Sequence, residues 1–299
     1  MILAAILACS LADQVSVTTY RIQPGDQISS QTWPANLLQR IRKTDVDNPT
    51  AVNIAVVFRN SRKTIAIKYA GREQQDKDGK KAFVGSFGWV PPVTNWYHDG
   101  FFNVTWEGRK SIHYRFRYLG TESGERGAAR FTTEMPAGRL FVDFALLPND
   151  DKLLMHLTFE PLQDAPMKAS VFLACYPASY ALNEPEKRRR VVLTSKQEFL
   201  NPGPKDSKSV GSLSDAEPWL LFYDRHFDIA AGRGSGPCAL AYDSSRVKVF
   251  ARCGNYQAHA IATLVPGVRE TSFVLWDFAG ITNADAVQYM KNLEIEPRP

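Results

Sequence analysis

No apolar run in this 299-residue chain approaches the roughly 18 residues that a membrane-crossing helix requires, so a soluble mature chain is expected. Cysteine is scarce. Cys9, Cys175, Cys238 and Cys253 form no CxxC and no Cys/His cluster, which excludes a zinc site of ordinary ligand spacing. The glycine-rich segment Gly232–Pro237 has no Lys-Ser/Thr and no helix after it, so it fails as a P-loop or dinucleotide fingerprint. Neither a G-x-S-x-G elbow nor an HExxH is present, and with them go two common hydrolase plans. The lack of βαβ alternation excludes Rossmann and TIM-barrel enzymes, and the lack of an internal repeat excludes a propeller. No cofactor is expected, no metal site is assigned, and no residue is marked as catalytic.

Charge of one sign is not concentrated either. Thirty-six basic and 31 acidic residues leave a formal net charge of +5, scattered along the chain. A nucleic-acid binder shows a denser basic face, so no nucleic-acid partner is expected. The 44% hydrophobic content is enough for a real core.

The N-terminus is the first positive signal. Ile2 to Ala8 is apolar and runs into Ala8, Cys9, Ser10, Leu11 and Ala12. Residues 1–12 read as a secretory signal, with Ser10 and Ala12 fitting the small-x-small cleavage pattern, although no Lys or Arg precedes the run. Ile6-Leu7-Ala8-Cys9 also approximates a bacterial lipoprotein box, and a buried first strand is the plain alternative. The expectation is an exported protein, periplasmic or extracellular, with residues 13–299 as one domain. Without Cys9 three cysteines remain, so no tidy disulfide framework is implied. A hairpin turning at Ser244-Ser245 sets Cys238 and Cys253 on a diagonal that suits a disulfide poorly, and buried free thiols are expected.

Short alternating segments follow one another: Val15–Tyr20, Asn53–Arg59, Thr64–Tyr69, Phe101–Trp106, Ile112–Tyr118, Phe131–Thr133, Leu140–Leu147 and Leu153–Glu160. In the last, Leu153, Met155, Leu157 and Phe159 share one face. Ser170–Tyr176, Val191–Thr194, Trp219–Tyr223, Ala239–Tyr242, Val247–Ala251, Ala258–Leu264 and Thr271–Phe278 continue the series. Helical spacing occurs only in Ala35–Lys43 and in Asn283–Leu293, the latter with Asn283 as N-cap. Arg72–Lys81 reads as a hairpin tip or loop. The stretch 201–218, rich in Pro, Gly and Ser, is a long loop or a linker. The fold class expected is all-β: a large antiparallel β-sandwich with one or two short peripheral helices.

The segment Phe83–Tyr118 holds Trp89, Trp96 and Trp106 with Tyr97, His98, His113, Arg115 and Arg117 among them. Rings next to hydrogen-bonding and charged groups suit a polar ring-shaped ligand, and equally a well-packed sandwich corner. On one strand, His113, Arg115 and Arg117 emerge on a single face about 6–7 Å apart, a platform for carboxylate or sulfate. The competing reading pairs them with Asp or Glu of a neighbouring strand. Trp96 to Gly100 forms a loop that either displays its side chains or closes the core.

Asp224, His226 and Asp228 alternate and, if extended, point together toward a metal or an acid–base role. Glu134, Asp143, Glu160, Asp224 and Asp277 are candidates for paired-carboxylate chemistry by location, and His113 or His156 for acid–base work on a sugar ring. Lys187–Arg190 reads as a solvated basic loop beside Glu184 and Glu186.

The long antiparallel series, the aromatic-rich loop and the His/Arg strand face resemble the large β-sandwiches of the galactose-mutarotase-like and related carbohydrate-active families. So does the Pro-Gly turn leading into the closing strand of Thr263–Phe278. What the resemblance implies is a carbohydrate-binding or carbohydrate-processing sandwich, exported as the N-terminus suggests, with acidic glycans in keeping with the cationic face. Trp89, Trp96, Tyr97, His98, Trp106, His113, Arg115 and Arg117 would then stand near the ligand. A non-catalytic cell-envelope or surface interaction protein is the alternative, and a metal-dependent hydrolase the second.

Overall fold

The computed structural model describes residues 14–23, 47–75, 77–90, 95–163, 167–178, 184–201, 208–210, 213, 217–233, 235–254 and 257–293. The expected signal at 1–12, the expected helix at 35–43 and much of 201–218 lie outside these residues. The strands in chain order are β1 (Ser16–Ile22), β2 (Val52–Arg59), β3 (Thr64–Gln75), β4 (Lys81–Trp89), β5 (Phe102–Trp106), β6 (Arg109–Lys110) and β7 (Arg117–Glu122). They continue as β8 (Gly127–Met135), β9 (Gly138–Leu146), β10 (Lys152–Pro161), β11 (Ala169–Cys175), β12 (Arg190–Thr194), β13 (Glu198–Leu200) and β14 (Lys208–Val210). The last are β15 (Trp219–Asp224), β16 (Cys238–Tyr242), β17 (Val247–Cys253), β18 (Ala258–Leu264) and β19 (Glu270–Asp277), followed by helix α1 (Asn283–Lys291). Pairing is antiparallel, and the fold is an all-β sandwich as the alternation predicts. It divides into two compact units.

The first unit contains the sheets β1-β2-β3-β4 and β10-β9-β8-β7. Leu153, Met155, Leu157 and Phe159 of β10 are all sealed, and the residues between them are partly exposed or open, as the period of two requires. The two sheets meet through aromatic rings. Tyr69 of β3 stands 6.4 Å from Phe131 of β8, and Phe87 of β4 stands 5.6 Å from Phe144 of β9. The Tyr69 hydroxyl accepts from Phe116 N at 3.0 Å and reaches Tyr114 O at 3.4 Å, so burying this phenol leaves no unmet group. Burial pushes its pKa upward. The expected strand 112–118 is split: residues 111–113 form a 3-10 turn and pairing begins only at Arg117. The β3–β4 hairpin runs out to Gln75 opposite Lys81, so 72–75 and Lys81 are strand and the described residues 77–80 form its tip.

The second unit contains β5-β11-β18-β17-β14 and β13-β12-β15-β16-β19. The face of Trp219, Leu221, Tyr223, Ala239, Ala241, Trp276 and Phe278 is covered by Ala286 and Met290 of α1. The helix N-cap is Thr282, whose hydroxyl accepts from Asp285 N. Asn283, expected as the cap, instead donates its side-chain amide to Asp224 O at 2.8 Å. β16 and β17 lie in different sheets, so the turn at 243–246 is an arch between sheets and the hairpin expected for Cys238 and Cys253 does not form.

Candidate functional site

The tryptophans do not face solvent. Trp89, Trp96 and Trp106 are each 1% exposed, and the Trp96 indole donates to Trp276 O at 2.9 Å within the second unit. Three rings of this size, fully buried, are packing groups, and the expectation that they line a ligand surface is corrected. Tyr97 is half-buried and stacks on Tyr176, with centroids 3.8 Å apart.

His98 belongs to the first unit, in a segment that lies flat on β4. Gly100 N donates to Phe87 O at 2.7 Å, and a side chain at Gly88 would stand 1.7 Å from His98 O. There Asp99 accepts from Lys68 Nζ at 2.8 Å and stands 3.7 Å from His98 Nε2. The lysine is 5% exposed, whereas Asp99 and His98 are 39% and 38% exposed. The buried ammonium thus has a carboxylate to offset its desolvation, and the imidazole is left at the surface.

His113, Arg115 and Arg117 are exposed, alternating with half-buried Tyr114, sealed Phe116 and half-buried Tyr118. The alternation survives the break in the strand because Tyr114 is itself extended, and Phe116 anchors the run against Tyr69 and Phe87, 5.5 and 5.0 Å away. Arg109 and Lys110 precede them, also exposed. Among the described residues none of these five groups makes an ion pair with a carboxylate, so the reading that pairs them with neighbouring Asp or Glu is not met. The Arg21 guanidinium adds a further cation 4.8 Å over the Tyr118 ring.

The other candidates are occupied elsewhere. Asp143 accepts a bidentate pair from Arg130 at 2.6 and 2.9 Å, and Arg139 lies between Glu134 and Glu160 at 2.6 and 3.9 Å. Asp277 is buried and accepts from Asn95 N, Asn95 Nδ2 and Ala279 N. Asp224, His226 and Asp228 do not share an extended face. The chain bends after Asp224, whose carboxylate accepts from the amides of Arg189, His226 and Phe227, while Asp228 caps the turn at 229–231. Among the described residues no three His, Cys, Asp or Glu groups are placed to hold a metal. Nor is 187–190 a solvated run: Arg188 and Arg190 are buried.

Sequence reasoning passed over His259 on β18. Its ring packs 4.9 Å from Phe172, its Nδ1 is buried without a partner, and it pairs in register with Ala174 and Arg252. Burial lowers its pKa from 6.5 to about 4, with Arg252 pushing the same way. Between those values the unfolded chain binds a proton that the folded chain refuses, so stability falls as pH drops from 6.5 toward 4 and then levels. His259→Phe is expected to flatten that part of the stability–pH curve, read by urea unfolding across the range. An unchanged curve would place the acid sensitivity elsewhere.

No protein-family model and no curated protein matches the chain. Among solved structures it is similar to a TPR-domain-containing protein from Parabacteroides distasonis, with a TM-score of 0.45, 11% identity and coverage of 83% of this chain and 50% of that one. The α-N-acetylgalactosaminidase of Bifidobacterium bifidum gives 0.43, 10%, 81% and 37%. A Klebsiella pneumoniae protein provisionally named aldose 1-epimerase gives 0.41, 9%, 92% and 94%. The chain therefore spans half or less of the first two.

Proposed function

We propose that this is an exported carbohydrate-binding protein whose ligand is an acidic glycan held along His113, Arg115 and Arg117. The observation that carries the reading is the run of exposed cations without carboxylate partners, extended backward by Arg109 and Lys110. Cations at the alternate exposed positions 113, 115 and 117 suit a polymer that repeats carboxylate or sulfate along its length. Guanidinium groups bind both anions bidentately. Export is proposed from the apolar run and small-residue exit at 1–12, with attachment through Cys9 as its membrane-anchored form.

Titration calorimetry with sulfated and uronic-acid oligosaccharides at low salt is expected to show binding that weakens as salt is raised. The double variant Arg115→Ala/Arg117→Ala is expected to bind at least about tenfold more weakly, since a charge-assisted hydrogen bond contributes roughly 1.5–3 kcal/mol. Equal affinity for parent and variant would overturn the reading. So would equal binding of a DNA duplex, which would make the surface a general polyanion contact.

A further inference from the structure

We propose that Cys175 and Cys238 are a dithiol which oxidation converts into a disulfide across the interior of the second unit, joining the sheet of β11 to the sheet of β16. Both are free and fully buried in the structure. Side chains alternate along β16, and Ala239 and Ala241 lie on the face that packs under α1. Cys238 and Leu240 therefore point the other way, toward the opposite sheet. Cys175 pairs with Ala258, and both are at 0% exposure between the sheets.

A short chain of contacts brings the two positions together. Trp96 bridges to Cys175, and Tyr176 N donates to Asn95 O at 2.6 Å. Asn95 in turn grips Asp277 through its N and Nδ2 at 3.0 and 2.9 Å, and Asp277 is the register partner of Cys238. Burial pushes the Cys238 thiol well above its ordinary range, and the neighbouring Cys175 thiol pushes it further.

The third thiol is not an equivalent partner. Cys253 sits on the far side of Ala258 from Cys175. That places it two ladder spacings away, about 9.5 Å, whereas bridged cysteines have Cα atoms within about 7 Å.

The chemistry is thiol–disulfide exchange with a low-molecular-weight disulfide. One cysteine thiolate attacks it, forming a mixed disulfide and releasing one thiol. The second thiolate then displaces the other, so that two protein thiols are oxidised and two small thiols are produced. Both sulfurs are sealed from solvent once the unit has folded, so the exchange belongs to assembly, before burial.

The test is to refold the full chain from its reduced, unfolded state in oxidised glutathione. Titratable thiols are expected to fall from the four in the sequence to two, with a peptide joining Cys175 to Cys238 found by mass spectrometry and kept in Cys253→Ala. The oxidised chain is expected to unfold at higher urea than the same chain treated with dithiothreitol, because a cross-link over about 60 residues restricts the unfolded state. That shift is expected to vanish in Cys238→Ala. Four free thiols after oxidative refolding, or a link made through Cys9 or Cys253, would overturn the proposal.

Discussion

Asp224→Ala is expected to destabilise the protein by about 3–5 kcal/mol, whereas Arg190→Met, which removes the other half of the same buried pair, is expected to change stability by less than about 1.5 kcal/mol. The asymmetry follows from what each group does. The Asp224 carboxylate accepts from Arg189 N at 3.2 and 3.1 Å, from His226 N at 2.9 Å and from Phe227 N at 3.1 Å. Alanine would leave three amides without acceptors at the exit of β15 and a guanidinium without a counter-charge. Each such buried, unmet group costs about 1–3 kcal/mol.

Arg190 returns little for its burial. Its Nε is 3.9 Å from Asp224 Oδ2, too far for a hydrogen bond, and Nε and Nη1 are both buried without partners. Burial lowers its pKa, and Asp224 only opposes that. Methionine fills a similar volume with no polar atoms to satisfy, and the carboxylate it leaves behind still holds its three amides. Urea unfolding of the two variants decides the matter. If Arg190→Met is as damaging as Asp224→Ala, the guanidinium is a principal support of this corner, and the amides are not what Asp224 is there to hold.

How far the sequence disclosed this arrangement differs from place to place. Strand β10 was legible because one side of it faces the core and the other does not, so a period of two appears in the residues themselves. The tryptophans were misread because composition does not separate a ring that stacks on a ligand from one that is sealed. A sharper signal was available in the same letters. Phe102, Val104 and Trp106 alternate along β5 and are all buried, and that pattern outweighs the presence of polar neighbours. The arch between β16 and β17 reads as a hairpin in the sequence because a short polar turn between two alternating runs has the same local appearance whether the chain returns to its own sheet or crosses to the next. Arg190 reads as solvated in a run of four basic residues. Its partner Asp224 is distant in sequence, and only the β12–β15 register brings them opposite. His113, Arg115 and Arg117 were placed correctly on an exposed side, since Phe116 and the flanking tyrosines fix which side faces inward.

Gly88→Ala is expected to lift His98–Gly100 off β4 and to destabilise the first unit by about 1–3 kcal/mol or more, although alanine is otherwise better suited to a strand than glycine. The added Cβ would stand 1.7 Å from His98 O and 2.5 Å from its carbonyl carbon. Both are backbone atoms, so no side-chain rotation relieves the overlap. Moving that peptide loses the Gly100 N to Phe87 O bond and draws Asp99 away from Lys68, and the half-exposed carboxylate makes this second loss a partial one.

A suitable control is Gly79→Ala. At that position φ is +77° and nothing lies within 4 Å of the added atom, so only the left-handed backbone is penalised, by roughly 1–2 kcal/mol. The Gly88 variant separates two parts of the expected ligand set. It displaces His98 and leaves Arg115 and Arg117 where Phe116 anchors them, so acidic-glycan affinity measured below its unfolding midpoint is expected to stay within about twofold of the parent. A tenfold loss, about 1.4 kcal/mol, would instead make the His98–Asp99 segment part of the binding surface, and the cationic run alone would no longer account for recognition.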